Sequence, residues 1–430
     1  MASRRRKNTE LLQREIENCR RLVEKAKEGL VEDVRIILKS GVSVDADEYN
    51  RALFYKSKNY MTPLLCAASR GHDECVQELI ASGADLDARD MFDMTAVHLA
   101  AENGHVDSLH LLLDAGASCN VATKYSRPGL YTGVVTHVGG TTPLQLATSN
   151  NHIDCIRELI LNGADYNAVD ETGRTSLYIA ASLGYEDAVL THLRNAIGRD
   201  ILSLPIRETG DTPLHECVRH NLLQCIVELL EHGSDVNHRN HQGWSPLHLA
   251  VHNTRSFSVD VIQALVTCGY NTDVNQLDGT GKSPLQYVSF FDNCKQNRRP
   301  QVASFLIAYG AQFMNLKNKH GCTLLQQELQ HISQDMTILK AIVRTCSHLP
   351  SLESLDINYT HNANQPAPPS GSVTKCQWYK TLTRSPRTLQ HYCRCVVRET
   401  LGVHRLKHTH KLPLPVTLQN YLLLKFSSCH

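Results

Sequence analysis

The chain has 430 residues, with 44 Lys and Arg against 43 Asp and Glu, so its formal charge of +1 gives no global field toward nucleic acid or an acidic membrane surface. No run approaches the roughly 18 consecutive apolar residues that span a bilayer, and Met1-Ala-Ser-Arg-Arg-Arg-Lys-Asn8 leads into a charged helical pattern rather than a signal-type apolar stretch. The fifteen cysteines are scattered, and Cys75, Cys155 and Cys225 sit in apolar helical patterns, as small reduced core residues of an intracellular, cytoplasmic chain do.

Residues 1–14 read as a disordered terminus, although Arg4-Arg-Arg-Lys7 also fits a nuclear signal. Val31 to Gly41 has the apolar spacing of a short helix closed by glycine. From residue 62 a phrase recurs: Thr62-Pro-Leu-Leu-Cys-Ala-Ala68, Thr95-Ala-Val-His-Leu-Ala-Ala101, Thr142-Pro-Leu-Gln-Leu-Ala147 and Thr175-Ser-Leu-Tyr-Ile-Ala-Ala181. It continues at Thr212-Pro-Leu-His215, Ser245-Pro-Leu-His-Leu-Ala250, Ser283-Pro-Leu-Gln286 and Thr323-Leu-Leu-Gln326, giving intervals of 33, 47, 33, 37, 33, 38 and 40 residues.

Thr or Ser can cap a helix, and Pro at the first helical position gives up an N–H that lacks an intrahelical partner anyway, so the phrase is a helix start. Paired small residues such as Ala67-Ala68 and Ala100-Ala101 let neighbouring helices approach, while Leu64 and Leu99 supply an apolar stripe. Gly83, Gly116, Gly163 and Gly233 fall 21 residues after Thr62, Thr95, Thr142 and Thr212, where a second helix must end in a left-handed turn.

Each unit is thus a helix, a turn, a helix and an extended finger, and the pattern resembles ankyrin repeats. Eight anchored units and the Val31–Gly41 cap make about nine repeats over residues 15–350, an all-α solenoid. Such an array exposes a long surface for gripping another protein and brings no reaction chemistry of its own.

Two interruptions are candidate substrate contacts. The segment Lys124-Tyr-Ser-Arg-Pro-Gly-Leu-Tyr-Thr132 lies in a unit lengthened by 14 residues, and the finger before Thr62 is enlarged around Tyr49, Phe54, Tyr55 and Tyr60. Insertions in solenoids fall on loops, and Tyr and Arg anchor interfaces, so Tyr125, Arg127 and Tyr131 are expected to touch substrate or else to lie in a solvated loop. Trp244, at the end of the finger that starts at His238, either joins them or packs between fingers.

Other motifs carry less. Gly279-Thr-Gly-Lys-Ser283 lacks the first glycine of a phosphate loop, with Gln276 in its place, and His215-Glu-Cys-Val-Arg219 lacks the second histidine of a zinc-protease helix. His98, His215 and His248 share the fourth position of the phrase, where a ring can tie one finger to the next through both nitrogens. His404, His408 and His410 have no cysteine or carboxylate at ligand spacing, so neither a metal nor another cofactor is expected.

Beyond Pro350 the pattern dissolves into Asn362-Ala-Asn-Gln-Pro-Ala-Pro-Pro-Ser-Gly-Ser372, and residues 351–380 read as a linker. In the last segment, 381–430, Ser385-Pro386 opens a helix whose Leu389, Cys393, Val396 and Val397 share one face and which Gly402 ends. Thr388-Leu389-x-x-x-Cys393-x-x-x-Val397 resembles the elongin-binding box of SOCS-box modules (388–397), and Leu412-Pro-Leu-Pro415 with Leu418 and Tyr421-Leu422 resembles their cullin box (412–422).

With the array, these boxes make the chain resemble the ankyrin-repeat-and-SOCS-box family. The resemblance implies a non-catalytic substrate receptor of a cullin-5 RING ubiquitin ligase, recruiting elongin B, elongin C and cullin-5 while the repeats hold an unknown protein substrate. It also implies that Leu389 enters a pocket of elongin C, that Cys393 packs beside it and Val397 extends that face, and that Leu412, Pro413, Leu414 and Pro415 mark the cullin-selecting segment. The competing reading is an ankyrin scaffold that sequesters its target without ubiquitination; an enzyme is more remote. No nucleic acid or membrane is expected among its partners.

Overall fold

The computed structural model describes residues 2–45, 61–124, 127–128, 135–195, 200–252, 258–290 and 299–312, and beyond them positions 325–326, 329, 339–340, 342–343, 377 and 379. The chain divides into two compact units, Met1–Glu216 and Cys217–His430.

The first unit opens with α1 (Ala2–Glu28) and α2 (Val31–Lys39), followed by α3 (Pro63–Arg70), α4 (Asp73–Ala81), α5 (Ala96–Asn103) and α6 (Val106–Asp114). After a two-stranded ladder, β1 (Arg127–Pro128) and β2 (Val135–His137), come α7 (Pro143–Ser149), α8 (Ile153–Leu161), α9 (Ser176–Leu183) and α10 (Glu186–Asn195). α1, α3, α5, α7 and α9 pack in succession, and so do α2, α4, α6, α8 and α10, so each helix pair is one layer of a stack. Helix α11 (Pro213–His220) carries the boundary between the units. The second unit holds α12 (Leu223–Glu231), α13 (Pro246–His252), α14 (Val259–Thr267), α15 (Pro284–Phe290) and α16 (Arg299–Ala308), with α12 on α14 and α13 on α15.

Local chemistry sets these boundaries where the recurring phrase places them. The Thr62, Thr142 and Thr175 hydroxyls accept from the N–H groups of Leu65, Gln145 and Tyr178 at 3.3, 3.4 and 3.2 Å. At the other end Gly83, Gly116, Gly163 and Gly233 have φ of 83°, 93°, 82° and 93°, the left-handed closure their spacing requires. Between these punctuation marks Leu64, Leu99, Cys75, Cys155 and Cys225 are buried, and the cysteines are free thiols. Burial pushes the Cys155 thiol up to about 12, which makes it an inert core residue.

The structure departs from the sequence reading in three places. The first 14 residues are not a disordered terminus, because α1 begins at Ala2; the stretch to Glu28 has neither Gly nor Pro and is rich in Arg, Lys, Glu and Leu, all good helix formers. α1 supplies the first helix that the Val31–Gly41 cap lacked, packing on both α2 and α3 with Leu22, Val23 and Ala26 buried. The inserted segment after Lys124 contains the antiparallel β1/β2 pair, Arg127 opposite His137 with a bulge beside it, which the helical period did not announce. Finally, residues 351–380 are not linker throughout: Gln377 and Tyr379 are helical and Tyr379 is 0% exposed.

Candidate protein-interaction surfaces

The fingers are built from repeated side-chain turns. Asp90 Oδ1 accepts from the amides of Phe92 and Met94, Asp170 Oδ1 from those of Thr172 and Arg174, and Asn240 Oδ1 from those of Gln242 and Trp244. Between fingers runs a ladder of amides and carboxylates. The Asn120 side chain donates to Gly163 O at 3.1 Å and accepts from Asp165 N at 2.8 Å; Asn237 does the same toward Asn271 O and Asp273 N at 2.7 and 2.8 Å. Within each unit these bonds hold successive fingers in register, so residues displayed along them form an edge of that unit.

Histidines join the layers in two ways. At the fourth phrase position, Nδ1 of His98, His215 and His248 accepts from the backbone N–H of Thr95, Thr212 and Ser245 at 3.1, 3.2 and 3.2 Å. An accepting Nδ1 leaves the proton on Nε2, and in His248 that nitrogen donates to Lys282 O at 3.1 Å, the two-ended tie anticipated above. Burial lowers the His248 pKa and keeps this neutral tautomer in place.

The second set was not anticipated. A Cβ at Gly29, Gly71 or Gly104 would lie 2.7, 2.5 or 2.6 Å from Nδ1 of His72, His105 or His152, so only glycine lets each ring lie on the preceding layer. His72 and His152 each place Nε2 3.1 Å from a carbonyl of that layer, Lys27 O and Glu102 O. The recurring Gly-His pairs in Arg70-Gly-His72 and Asn103-Gly-His105 were the available signal.

Of the substrate-contact candidates, Trp244 lies in the second unit, at the start of the finger-to-helix junction before α13. It is half-buried, with its ring 4.6 Å from His252 and 5.9 Å from Tyr287, and it hydrogen-bonds the Tyr287 side chain. The Tyr287 hydroxyl in turn donates to Asp278 Oδ2 at 2.5 Å, and Lys282 Nζ stands 5.4 Å from the Tyr287 ring centre. Trp244 therefore serves packing between neighbouring layers, and only its exposed remainder can meet a partner. Arg127 lies on β1; Tyr125 and Tyr131, and the enlarged finger with Tyr49, Phe54, Tyr55 and Tyr60, lie outside the described residues.

The phosphate-loop-like segment has a structural explanation. The amides of Thr280 and Lys282 donate to Asp278 Oδ1 at 2.7 and 2.9 Å, and the Ser283 amide donates to Gln286 Oε1 at 2.8 Å. The N–H groups that would cradle a phosphate are spent on a finger turn and a helix cap. Burial alone would push the Asp278 carboxyl up, but the donors from Tyr287, Lys282 and Thr280 hold it down to about 2.

Two buried polar pairs also escaped the sequence reading. Tyr178, at the fourth phrase position, donates its hydroxyl to Glu216 Oε1 at 2.9 Å. Thr148 stands where other repeats have Ala68, Ala101 and Ala181, and His192 stands where they have Leu79, Leu112, Leu159 and Leu229. The Thr148 hydroxyl donates to Leu144 O at 2.7 Å and meets His192 Nε2 at 2.9 Å, while His192 Nδ1 is buried without a hydrogen-bond partner. Burial lowers the His192 pKa to about 4. Both were visible in the sequence as departures from the repeat pattern, but they lie in successive repeats and only the stacked helices bring them together.

The segment with Leu389, Cys393, Val397, Leu412, Pro413, Leu414 and Pro415, like His404, His408 and His410, lies outside the described residues. Comparison with known proteins covers it. A family model described as ankyrin repeats matches three times, over residues 22–123, 129–203 and 194–278, and one described as SOCS box matches residues 385–423. Mouse Ankyrin repeat and SOCS box protein 16 is 31% identical over 379 residues, 84% of this chain and 74% of the relative.

The chain belongs to the ankyrin-repeat-and-SOCS-box family. Its human relative of the same name is 29% identical over 383 residues, covering 85% of this chain and 75% of that protein. Similarity to human Protein phosphatase 1 regulatory subunit 27 is confined to 87 residues, 20% of this chain and 54% of that protein, at 31% identity. Membership in the ankyrin-repeat-and-SOCS-box family carries a general role: an adaptor that presents substrates to a cullin–RING ubiquitin ligase. In that family the repeats and the box divide the work between substrate and ligase.

Proposed function

We propose that this chain is the substrate-recognition subunit of a ligase built on elongin B, elongin C and cullin-5 with its RING partner, and that it promotes ubiquitination and proteasomal degradation of a protein held by the repeats. The observation that carries this reading is the SOCS-box match at 385–423, which contains both short boxes in order behind an ankyrin array. Leu389 is the elongin C anchor, Cys393 the small neighbour that lets the helix seat, and Val397 the continuation of that face. An exposed leucine on an amphipathic helix suits a helix-in-groove contact and contributes about 1.5 to 3 kcal/mol when buried. Leu412, Pro413, Leu414 and Pro415 select the cullin, the prolines lowering the entropy lost when an extended segment docks.

Substrate meets the finger edge around Tyr125, Arg127 and Tyr131, with the exposed part of Trp244 as a further contact. The chain works in the cytoplasm, with Arg4-Arg-Arg-Lys7 available for nuclear entry. It positions and does not catalyse; the thioester chemistry belongs to the recruited conjugating enzyme. The test is affinity capture of the full chain from cells beside the double variant Leu389→Ala, Cys393→Phe. Wild type should recover elongins and cullin-5 and the variant neither; a wild type that recovers no elongin C leaves the sequestering scaffold as the better account.

A further inference from the structure

Two successive fingers of the second unit, with the helices that follow them, carry exposed charge of one sign. In residues 236–252 and 274–290 the only Asp or Glu is Asp278, which is 4% exposed and whose carboxylate is taken up by Tyr287, Thr280 and the Lys282 amide. Corresponding stretches of the first unit are mixed, with Asp87, Asp90, Asp93 and Glu102 in 87–103 and Asp170 and Glu171 in 167–183. Arg239 and Lys282 are both exposed and have no carboxylate partner among the described residues, whereas Lys124 and Arg174 of the first unit are paired with Asp93 and Asp170.

The two fingers touch through their backbones. Gly279 N donates to Gln242 O at 3.0 Å, and a Cβ on Gly243, whose φ is 78°, would lie 2.3 Å from Gly279 N. Both cations are thereby held close to Trp244: Arg239 Nε donates to Gly243 O at 3.2 Å, and Lys282 Nζ stands 5.4 Å from the Tyr287 ring, itself 5.9 Å from the Trp244 ring. Leu277, on the same finger as Lys282, is 47% exposed.

We propose that this face of the second unit takes an acidic segment of a protein substrate, its carboxylates meeting Arg239 and Lys282 while an apolar or aromatic side chain of the segment rests on Trp244 and Leu277. Unpaired cations have no intramolecular ion pair to give up, a guanidinium matches a carboxylate in geometry, and Trp and Arg are types that concentrate binding energy. Phosphates of a nucleic acid would meet the same cations, but such a groove needs a longer basic stripe, and Leu277 offers a sugar-phosphate backbone nothing. The inference rests on the adaptor reading for its purpose, since it names the class of substrate presented at Trp244; the binding itself needs no ligase.

The test is fluorescence anisotropy on the full chain with a short labelled peptide of glutamates around one leucine and one phenylalanine. Beside it run the same peptide with lysines for glutamates and a single-stranded oligothymidine. The glutamate peptide should bind, more weakly as salt is raised, and the lysine peptide should not. Arg239→Glu with Lys282→Glu should weaken binding about tenfold and Lys282→Gln, which leaves the finger backbone contact intact, about threefold. Arg89→Glu, a reversal on a finger of the first unit, should change nothing. The proposal is overturned if the lysine peptide binds as well, if oligothymidine binds more tightly, if Lys282→Gln binds like wild type, or if Arg89→Glu loses as much as the double variant. Elongin B–elongin C binding is measured on the same preparations: its absence counts against the adaptor reading and leaves the peptide result standing.

Discussion

His192 in the first unit and Asp278 in the second are ionisable groups sealed into the same repeating helix pattern, and they meet burial in opposite ways. His192 has one hydrogen bond, to Thr148, and a second nitrogen without a partner; its neighbours are otherwise core, so it stays neutral with a pKa of about 4. Asp278 is also a low-exposure side chain, at 4%, though less deeply enclosed than His192; donors from Tyr287, Thr280 and Lys282 converge on it and it stays charged with a pKa of about 2. One repeat architecture therefore tolerates a buried titratable group by starving it of charge or by saturating it with donors. Both solutions are acid-sensitive, but in different pH windows.

The larger effect is expected at His192. Its folded pKa of about 4 lies below the ordinary value of 6.5, so as pH falls the unfolded chain takes up the proton first and stability drops between pH 6.5 and 4. The loss is about 3 kcal/mol when complete. Restoring the repeat pattern with His192→Leu and Thr148→Ala should remove that slope, which urea unfolding followed across this pH range would show. An unchanged slope would mean that another group carries the acid sensitivity.

At Asp278 the sign of the ionisation is reversed and the window lies lower. A folded carboxyl at about 2 against an ordinary 3.8 contributes stability that is fully present above pH 4 and lost on approach to pH 2. Removing one donor to the charged group with Tyr287→Phe should cost about 1.5 to 3 kcal/mol at neutral pH and progressively less as the carboxylate is protonated. Equal destabilisation at pH 7 and pH 2.5 would assign the loss to packing against Trp244 and His252 rather than to the hydrogen bond.

The smallest effect sharpens the contrast between satisfied and unsatisfied polar groups. Ser176 occupies the first helical position where Thr62, Thr142, Thr212, Ser245 and Ser283 are each followed by Pro, and its hydroxyl is buried without a partner. Thr175 already has the extended backbone, φ −84° and ψ 164°, that a following proline demands. Ser176→Pro should stabilise the first unit by about 0.5 to 1 kcal/mol, read as a raised thermal midpoint. A lowered midpoint would show that proline cannot be seated there.

The parts of the fold that were legible in the sequence are those fixed within a few residues. Thr62-Pro63 and Gly83 mark a helix start and a left-handed stop by local chemistry, and their repetition gives the family. What was not legible depends on residues far apart in the chain. The Trp244–Tyr287–Asp278 series and the Tyr178–Glu216 bond need the layers stacked before the partners meet, and no spacing rule points to them. Thr148 and His192 were visible as departures from the repeat but became a pair only when α7 and α10 were in place. Composition misled at the two termini of the array: Arg-rich Ala2–Glu28 continues a helix, and a Pro- and Ser-rich stretch ends in the buried Tyr379. The residues proposed to dock the ligase rest on the two short boxes of the C-terminal segment, which the SOCS-box match at 385–423 spans.

The central claim is that the C-terminal segment is a two-part docking module, and direct binding of the purified chain to elongin B–elongin C and then to cullin-5 tests it. The account predicts that wild type binds both in sequence, and that Pro413→Ala with Pro415→Ala retains the elongins while weakening cullin-5 about tenfold. Failure of the wild type to bind elongin B–elongin C, or equal loss of elongins and cullin-5 in the proline variant, would contradict it.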